Sequence, residues 1–229
     1  MKIGIAGLDY PEGKVKFEDV IVDQLTEKCK PKKVSPYYVE LMPDEFVQVD
    51  AIAVNADNLL DLLILDMDKC QTRIDRSEDE AEKTLMQKCI DKLETEIPLC
   101  DMEFSEEEMV HIDAVLPASF KPVVVVSGEE GMNAVIQQVF IKAGLIFFYT
   151  AGPEEVHAWD VKKGSDMVTC AGKIHSDLAR GFIKGDVVAF DDFMQCHSFN
   201  DAKKQGLVKV VDRDHELEGG EIIEIRFNV

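Results

Sequence analysis

The sequence predicts an α/β chain in two parts: a mostly parallel sheet carrying an inserted helical hairpin, then a smaller mixed α+β domain. Three observations predict this. Short, uniformly apolar segments (Lys2–Ala6, Asp50–Val54, Lys121–Ser127) read as strands buried on both faces, as parallel sheets require. Two charged amphipathic helices stand between the second and third of these. From residue 147 onward the pattern switches to short strands broken by turns.

In order, Lys2-Ile-Gly-Ile-Ala6 is the first strand, and Gly7-Leu-Asp-Tyr-Pro-Glu-Gly13-Lys14-Val15 follows as an altered phosphate loop. A working loop is G-x-x-x-x-G-K-[ST], whose backbone N–H groups cradle phosphates and whose hydroxyl holds Mg²⁺. Here five residues separate Gly7 from Gly13, and Val15 replaces the hydroxyl. Phe17–Cys29 has helical spacing and stops at Pro31. Tyr37–Leu41 and Asp50–Val54 are strands. Leu59–Arg76 is a helix with Leu59, Leu62, Leu63 and Met67 on one face, and Asp79–Glu96 is another with Leu85, Cys89 and Leu93. Ser77 with Glu80, and Ser105 with Glu108, read as capping boxes that start helices. The two helices joined at Ser77 suggest an antiparallel coiled-coil hairpin; two ordinary helices packed on a core are the alternative. Gly131–Gly144 is amphipathic. Val156–Val161, Asp186–Phe190, Leu207–Val211 and Glu221–Phe227 are strand-like, with helices around His175–Gly181 and Asn200–Gln205.

The 229 residues carry a net charge of −20, and residues 147–229 contribute only −5 of it. Such a field opposes attachment to DNA and to anionic membranes. The longest apolar runs, Val123–Val126 and Leu145–Tyr149, are far shorter than the ~20 residues of a membrane span. No secretory signal is visible, and six cysteines without C-x-x-C spacing fit reduced thiols in a cytoplasmic protein. The basic groups Lys28–Lys33, Lys162-Lys163 and Arg180–Lys184 are either local RNA contacts or ordinary solvated side chains. Five scattered histidines show no zinc spacing, so no metal site and no catalytic pair are expected.

A resemblance appears in the second part. Ala151-Gly-Pro-Glu-Glu-Val-His-Ala-Trp159 with Lys162-Lys163-Gly164, then Ala171-Gly-Lys-Ile-His175-Ser-Asp177-Leu-Ala-Arg180-Gly181-Phe-Ile-Lys184, resembles the C-terminal TGS domain of the Obg-like ATPases, the YchF branch of the translation-factor GTPases. Gly220-Glu-Ile-Ile-Glu-Ile-Arg226-Phe-Asn-Val229 is similar to that family's terminus. Gln24–Val34, Ser105–Glu108 and Lys121–Val126 resemble parts of its nucleotide-binding domain. Met42-Pro43-Asp44-Glu45-Phe46 stands where the family has D-x-x-G, and Ser127-Gly128-Glu129-Glu130 where it has N-x-x-E.

The resemblance implies a reduced P-loop-GTPase-like domain (1–58 and 119–146), a helical coiled-coil insertion (59–118) and a β-grasp TGS domain (147–229). Gly7, Gly13, Lys14 and Glu130 would be the vestige of a nucleotide site. Lys162, Lys163, His175, Arg180 and Lys184 would touch a partner: the ribosome, RNA or a translation-related protein. With the hydroxyl, the loop spacing and the D-x-x-G changed, the expectation is a nonenzymatic pseudo-GTPase with no required cofactor. The alternative is a regulatory protein that still binds ATP or GTP, with weak or no hydrolysis.

Overall fold

A computed structural model describes residues 1–228, so Val229, the last residue of the resemblance, lies outside the described residues. The chain runs β1 (Lys2–Ala6), β2 (Gly13–Lys16), α1 (Val20–Cys29), β3 (Lys33–Ser35), β4 (Tyr38–Pro43), β5 (Ala51–Asn55), α2 (Leu59–Arg76), α3 (Glu80–Leu93), α4 (Glu106–Val115), β6 (Val123–Val126) and α5 (Met132–Lys142). It continues through β7 (Leu145–Ala151), β8 (Glu155–Lys162), α6 (Met167–Ile174), α7 (Ser176–Arg180), β9 (Phe182–Val188), α8 (Phe190–Gln195), α9 (Phe199–Lys204), β10 (Lys209–Val211) and β11 (Ile222–Phe227). Two compact units result: Met1–Val15 with Val39–Ala143, and Lys16–Tyr38 with the chain from Gly144 onward.

The first unit is built on a sheet of order β2-β4-β1-β5-β6, with β4, β1, β5 and β6 parallel to their neighbours. Gly4 is forced on β1 by a close approach: a Cβ there would lie 2.1 Å from the Glu45 carbonyl oxygen. The α2–α3 pair forms at the expected place, but it is no free-standing arm. Leu62, Leu63, Cys70, Leu85, Met86, Cys89 and Leu93 share one core with Ile52, Val54 and Val123 of the sheet and Ile112 of α4. The alternative of helices packed on a core therefore describes them better than a separate insertion.

Two buried carboxylates tie this helical layer down. Asp66 on α2 accepts the N–H groups of Ala118 (2.7 Å) and Ser119 (2.6 Å). Glu82 on α3 accepts Arg73 Nε at 2.6 Å. Glu82 also accepts the Ser77 hydroxyl. That use of Ser77 corrects the expected Ser77–Glu80 capping box: Asp79 caps α3 instead, its carboxylate accepting the Ala81 N–H. The second box is present as expected, with Ser105 and Glu108 bonded reciprocally.

In the second unit a sheet of order β10-β9-β11-β7-β8-β3 is crossed by α6. β7 and β8 form an antiparallel hairpin, β11 lies parallel to β7, and β9 and β10 continue antiparallel. A sheet-rich C-terminal unit is thus present, ordered hairpin, helix and returning strands. The expected strand Asp186–Phe190 sits earlier than the sequence suggests, ending at Val188, because Ala189 begins the turn into α8.

The unexpected component is the segment 16–38, which the sequence places in the first domain. β3 adds to the sheet parallel to β8, and α1 buries Val22 and Leu25 against Tyr149, Val156 and Phe193. Asp19 fixes the junction: Oδ1 caps α1 through the Ile21 N–H, and Oδ2 accepts the buried Tyr149 hydroxyl at 2.7 Å. Three of the four lysines of 28–33 are consumed here too, Lys32 on Glu154 and Lys33 on Glu155 at 2.8 Å each, with Lys28 on the Met194 carbonyl at 3.3 Å.

Candidate functional site

Open α/β sheets bind ligands at the carboxyl ends of their strands, and the altered phosphate loop leaves β1 at that edge. Gly7 has φ +66, and a Cβ on it would sit 1.9 Å from Asn58 Oδ1, so both the backbone and the neighbouring side chain require glycine. The space beside Gly7 is filled by Asn58 and Asn55. Asn55 ends β5, and its Nδ2 donates to the carbonyls of Gly7 (3.3 Å) and Ser127 (3.5 Å), linking the ends of β1, β5 and β6. Neither asparagine was among the expected site residues. An Asn closing a fully apolar strand, with another three residues on, is the signal that could have found them.

Glu130 is turned onto its own loop. Its carboxylate accepts the Ser127 N–H (3.2 Å), the Ser127 hydroxyl (3.0 Å) and the Gly128 N–H (3.0 Å). Hydrogen bonds from its own N–H and from Ser127 hold its carboxyl below the usual range, against a smaller opposing effect of burial. The Tyr10 hydroxyl donates to the Glu130 carbonyl at 2.7 Å, pinning the loop after β1 to the turn after β6. Burial first, and the Glu130 charge second, push the Tyr10 hydroxyl up.

Gly7 and Glu130 are thus brought to one edge, but Gly13 and Lys14 are not in a loop with them. They open β2, which pairs beside β4, two strands from β1. The helix N-terminus that supplies phosphate-binding N–H groups in a working loop is replaced by strand. The residues from Gly7 to Lys14 therefore do not fit a triphosphate cradle, and the polar groups that do converge are Asn55, Asn58, Ser127 and Glu130. Among the described residues, no group of three His, Cys, Asp or Glu side chains could hold a metal ion.

The expected partner residues lie on the second unit. Lys162 ends β8, and Lys163 follows it with its N–H on the Gly144 carbonyl (2.8 Å). His175 caps α7, its Nδ1 accepting the Asp177 N–H at 3.1 Å. Arg180 pairs with Asp177 at 2.9 Å, and Lys184 pairs with Asp212. Arg180 stays mostly exposed despite its pair, so it can exchange that carboxylate for another anion. Asp186 of β9 was not anticipated. It is 1% exposed, held by Arg226 through two hydrogen bonds (2.9 and 2.6 Å) and by Lys203 at 2.9 Å. Burial alone would raise its carboxyl; the bonds from Arg226 and Lys203 overcome that and hold it low.

Comparison with known proteins now bears on this geometry. Residues 145–228 match the family model YchF-GTPase_C, described as a protein of unknown function (DUF933). The chain is 40% identical over 99 residues to "Ribosome-binding ATPase YchF" of Mycoplasma genitalium, covering 43% of this chain and 27% of that protein. It is 39% identical over 101 residues to the Bacillus subtilis protein of the same name, covering 44% and 28%. It is 42% identical over 105 residues to "Obg-like ATPase 1" of Danio rerio, covering 44% and 26%. These matches span little more than a quarter of the relatives' length. The Schizosaccharomyces pombe YchF GTPase superposes with TM-score 0.77 at 17% identity, covering 99% of this chain and 97% of that one, which establishes a shared fold. One expectation is overturned by these names: the relatives are ATPases, so the reading of the chain as a nonenzyme does not stand.

Proposed function

We propose that this YchF-type chain associates with ribosomes through its C-terminal domain and binds a purine nucleotide at the carboxyl edge of its parallel sheet, one state regulating the other. The supporting observation is the 40% identity to a ribosome-binding ATPase, together with the match of residues 145–228 to the YchF C-terminal model. That domain, read as a TGS module, carries Lys162, Lys163, His175, Arg180 and Lys184. It also has the milder share of the chain's negative charge, and its work would be in the cytoplasm, where ribosomes are. No helix among the described residues is long and apolar enough to cross a membrane.

ATP is the first candidate nucleotide and GTP the second. The nucleotide would engage Asn55, Asn58 and the Ser127–Glu130 turn, whose amide groups and hydroxyl can read a purine edge, and not the strand-bound Gly13-Lys14. Asn55 gives up only two long hydrogen bonds on binding, so its displacement costs little.

Sedimentation of the full chain with ribosomes at moderate salt, with and without ATP, tests this reading. Co-sedimentation that changes with ATP is expected. A chain that stays at the top of the gradient in both conditions would overturn the ribosome reading, and calorimetry with ATP and GTP showing no heat of binding would overturn the nucleotide one.

A further inference from the structure

The second unit holds a cavity of about 440 Å³ that none of the preceding residues explains. This lies within the roughly 300–1,000 Å³ typical of ligand sites. Its apolar lining is buried or half-buried: Ile21 of α1, Val187 of β9, Phe190 of α8 and Leu207 before β10. Its charged lining is mostly acidic and more exposed: Asp191, Asp192, Glu216, Glu218 and Glu221, against the single lysine Lys209 and His215.

Many carboxylates of the domain are neutralised within it. Glu154, Glu155, Asp160, Asp177, Asp212 and Glu224 each meet a lysine or arginine of the same unit. Among the described residues, Asp191, Asp192, Glu216 and Glu218 meet none. Glu221 is used otherwise, accepting the N–H groups of Glu218 (2.8 Å) and Gly219 (2.7 Å). The Gly220 N–H bonds the Phe147 carbonyl at 2.7 Å. The Glu218–Glu221 turn is thereby set in place before any ligand arrives, which lowers the ordering cost of binding.

We infer that this cavity is a docking site for a basic protein segment, one that presents arginine or lysine next to an aliphatic residue. The occupant follows from the lining, which sets half-buried apolar side chains beside more exposed carboxylates without an ion pair. Arginine and lysine carry an apolar stem under a charged head. The stem covers Ile21, Phe190 and Leu207 while the head reaches Asp191, Asp192 or Glu218, which exchange water for a cation they lack. A bare metal ion would leave the apolar lining uncovered, and an anionic nucleic acid would meet the carboxylates with like charge. The inference does not rest on ribosome binding, since any partner with such a segment satisfies it.

Fluorescence anisotropy of the full chain with a fluorescein-labelled peptide alternating arginine and leucine tests it at moderate salt. Saturable binding is expected, weakened at least about tenfold in the triple variant D191N/D192N/E218Q by loss of its ion pairs. The variant E94Q/E103Q/D113N removes the same charge from the other unit and should stay within about twofold, as remote surface changes do. Circular dichroism melting of both variants checks that they fold. Equal weakening by the two variants would reduce the effect to overall charge and overturn the site. So would absence of saturation, or equally tight binding of a peptide in which serine replaces every leucine.

Discussion

The carboxyl edge of the first unit and the cavity of the second treat their polar groups in opposite ways. At the sheet edge most converging groups have been taken up by the chain itself: Asn55 bridges two carbonyls, Glu130 caps its own turn, and Tyr10 ties the two loops together. At the cavity, Asp191, Asp192, Glu216 and Glu218 have no ion pair among the described residues. A polar group bonded internally contributes to the fold, and a ligand must displace that bond. A group left unbonded contributes nothing to the fold and is free to recognise. The first unit thus responds to ligands only through rearrangement, whereas the second presents a ready surface.

Variants can break this contrast, and the largest effect should come from a carboxylate that the fold uses fully. Asp186→Asn removes the buried anion from Arg226 and Lys203, whose heads stay partly solvated, and should cost about 1.5–3 kcal/mol, as loss of charged hydrogen bonds does; denaturant unfolding measures it. The pH dependence has a fixed sign. Because the folded Asp186 carboxyl is held below its ordinary value near 3.9, its stabilisation is present above that pH and lost as pH falls through the folded value. Acid titration of the wild type should show this loss, and D186N should lack it.

Gly7→Ala comes next. A side chain at φ +66 is strained by about 1–2 kcal/mol, and the new methyl collides with Asn58, so thermal unfolding should shift by more than the strain alone. Asn58→Ala should be milder, within about 1 kcal/mol, because Asn58 makes no capping hydrogen bond to α2. It also removes one of the side chains the proposed nucleotide engages, so calorimetry should find ATP binding weakened in this variant. Smallest of all, D191N/D192N should leave stability within about 0.5 kcal/mol, since no partner is lost. A large drop in its melting temperature would show that the cavity carboxylates support the fold after all.

Much of the architecture was legible because it is written locally. The helix 59–76 appears with its expected bounds, since its apolar face repeats at helical spacing between Asn58 and Ser77. The Ser105–Glu108 box is likewise a four-residue signal. What escaped depends on distant partners. Nothing within Lys33–Ser35 says that it pairs with Glu155–His157, so the segment 16–38 was read with the wrong unit. The Ser77 box failed because Glu82 offers that hydroxyl a better-placed carboxylate. Gly13-Lys14 looked like a loop because its glycine matches a motif, while pairing with β4 draws it into a strand.

The site was legible in part. Gly7 and Glu130 do share one edge, but the asparagines that fill it carry no motif and emerge only when three strand ends meet. The charged residues were the hardest to rank from sequence, because a lysine on Glu154 and an aspartate with no partner look alike until the fold pairs them.

The account is tested most directly by ribosome co-sedimentation of the full chain beside a variant lacking the exposed cations of the C-terminal domain, K163E/R180E/K184E. The prediction is that the wild type travels with ribosomes at moderate salt and that the variant, folded by circular dichroism, is largely released. A wild-type chain left at the top of the gradient, or a variant bound as well as the wild type, would contradict the claim that this domain makes the contact.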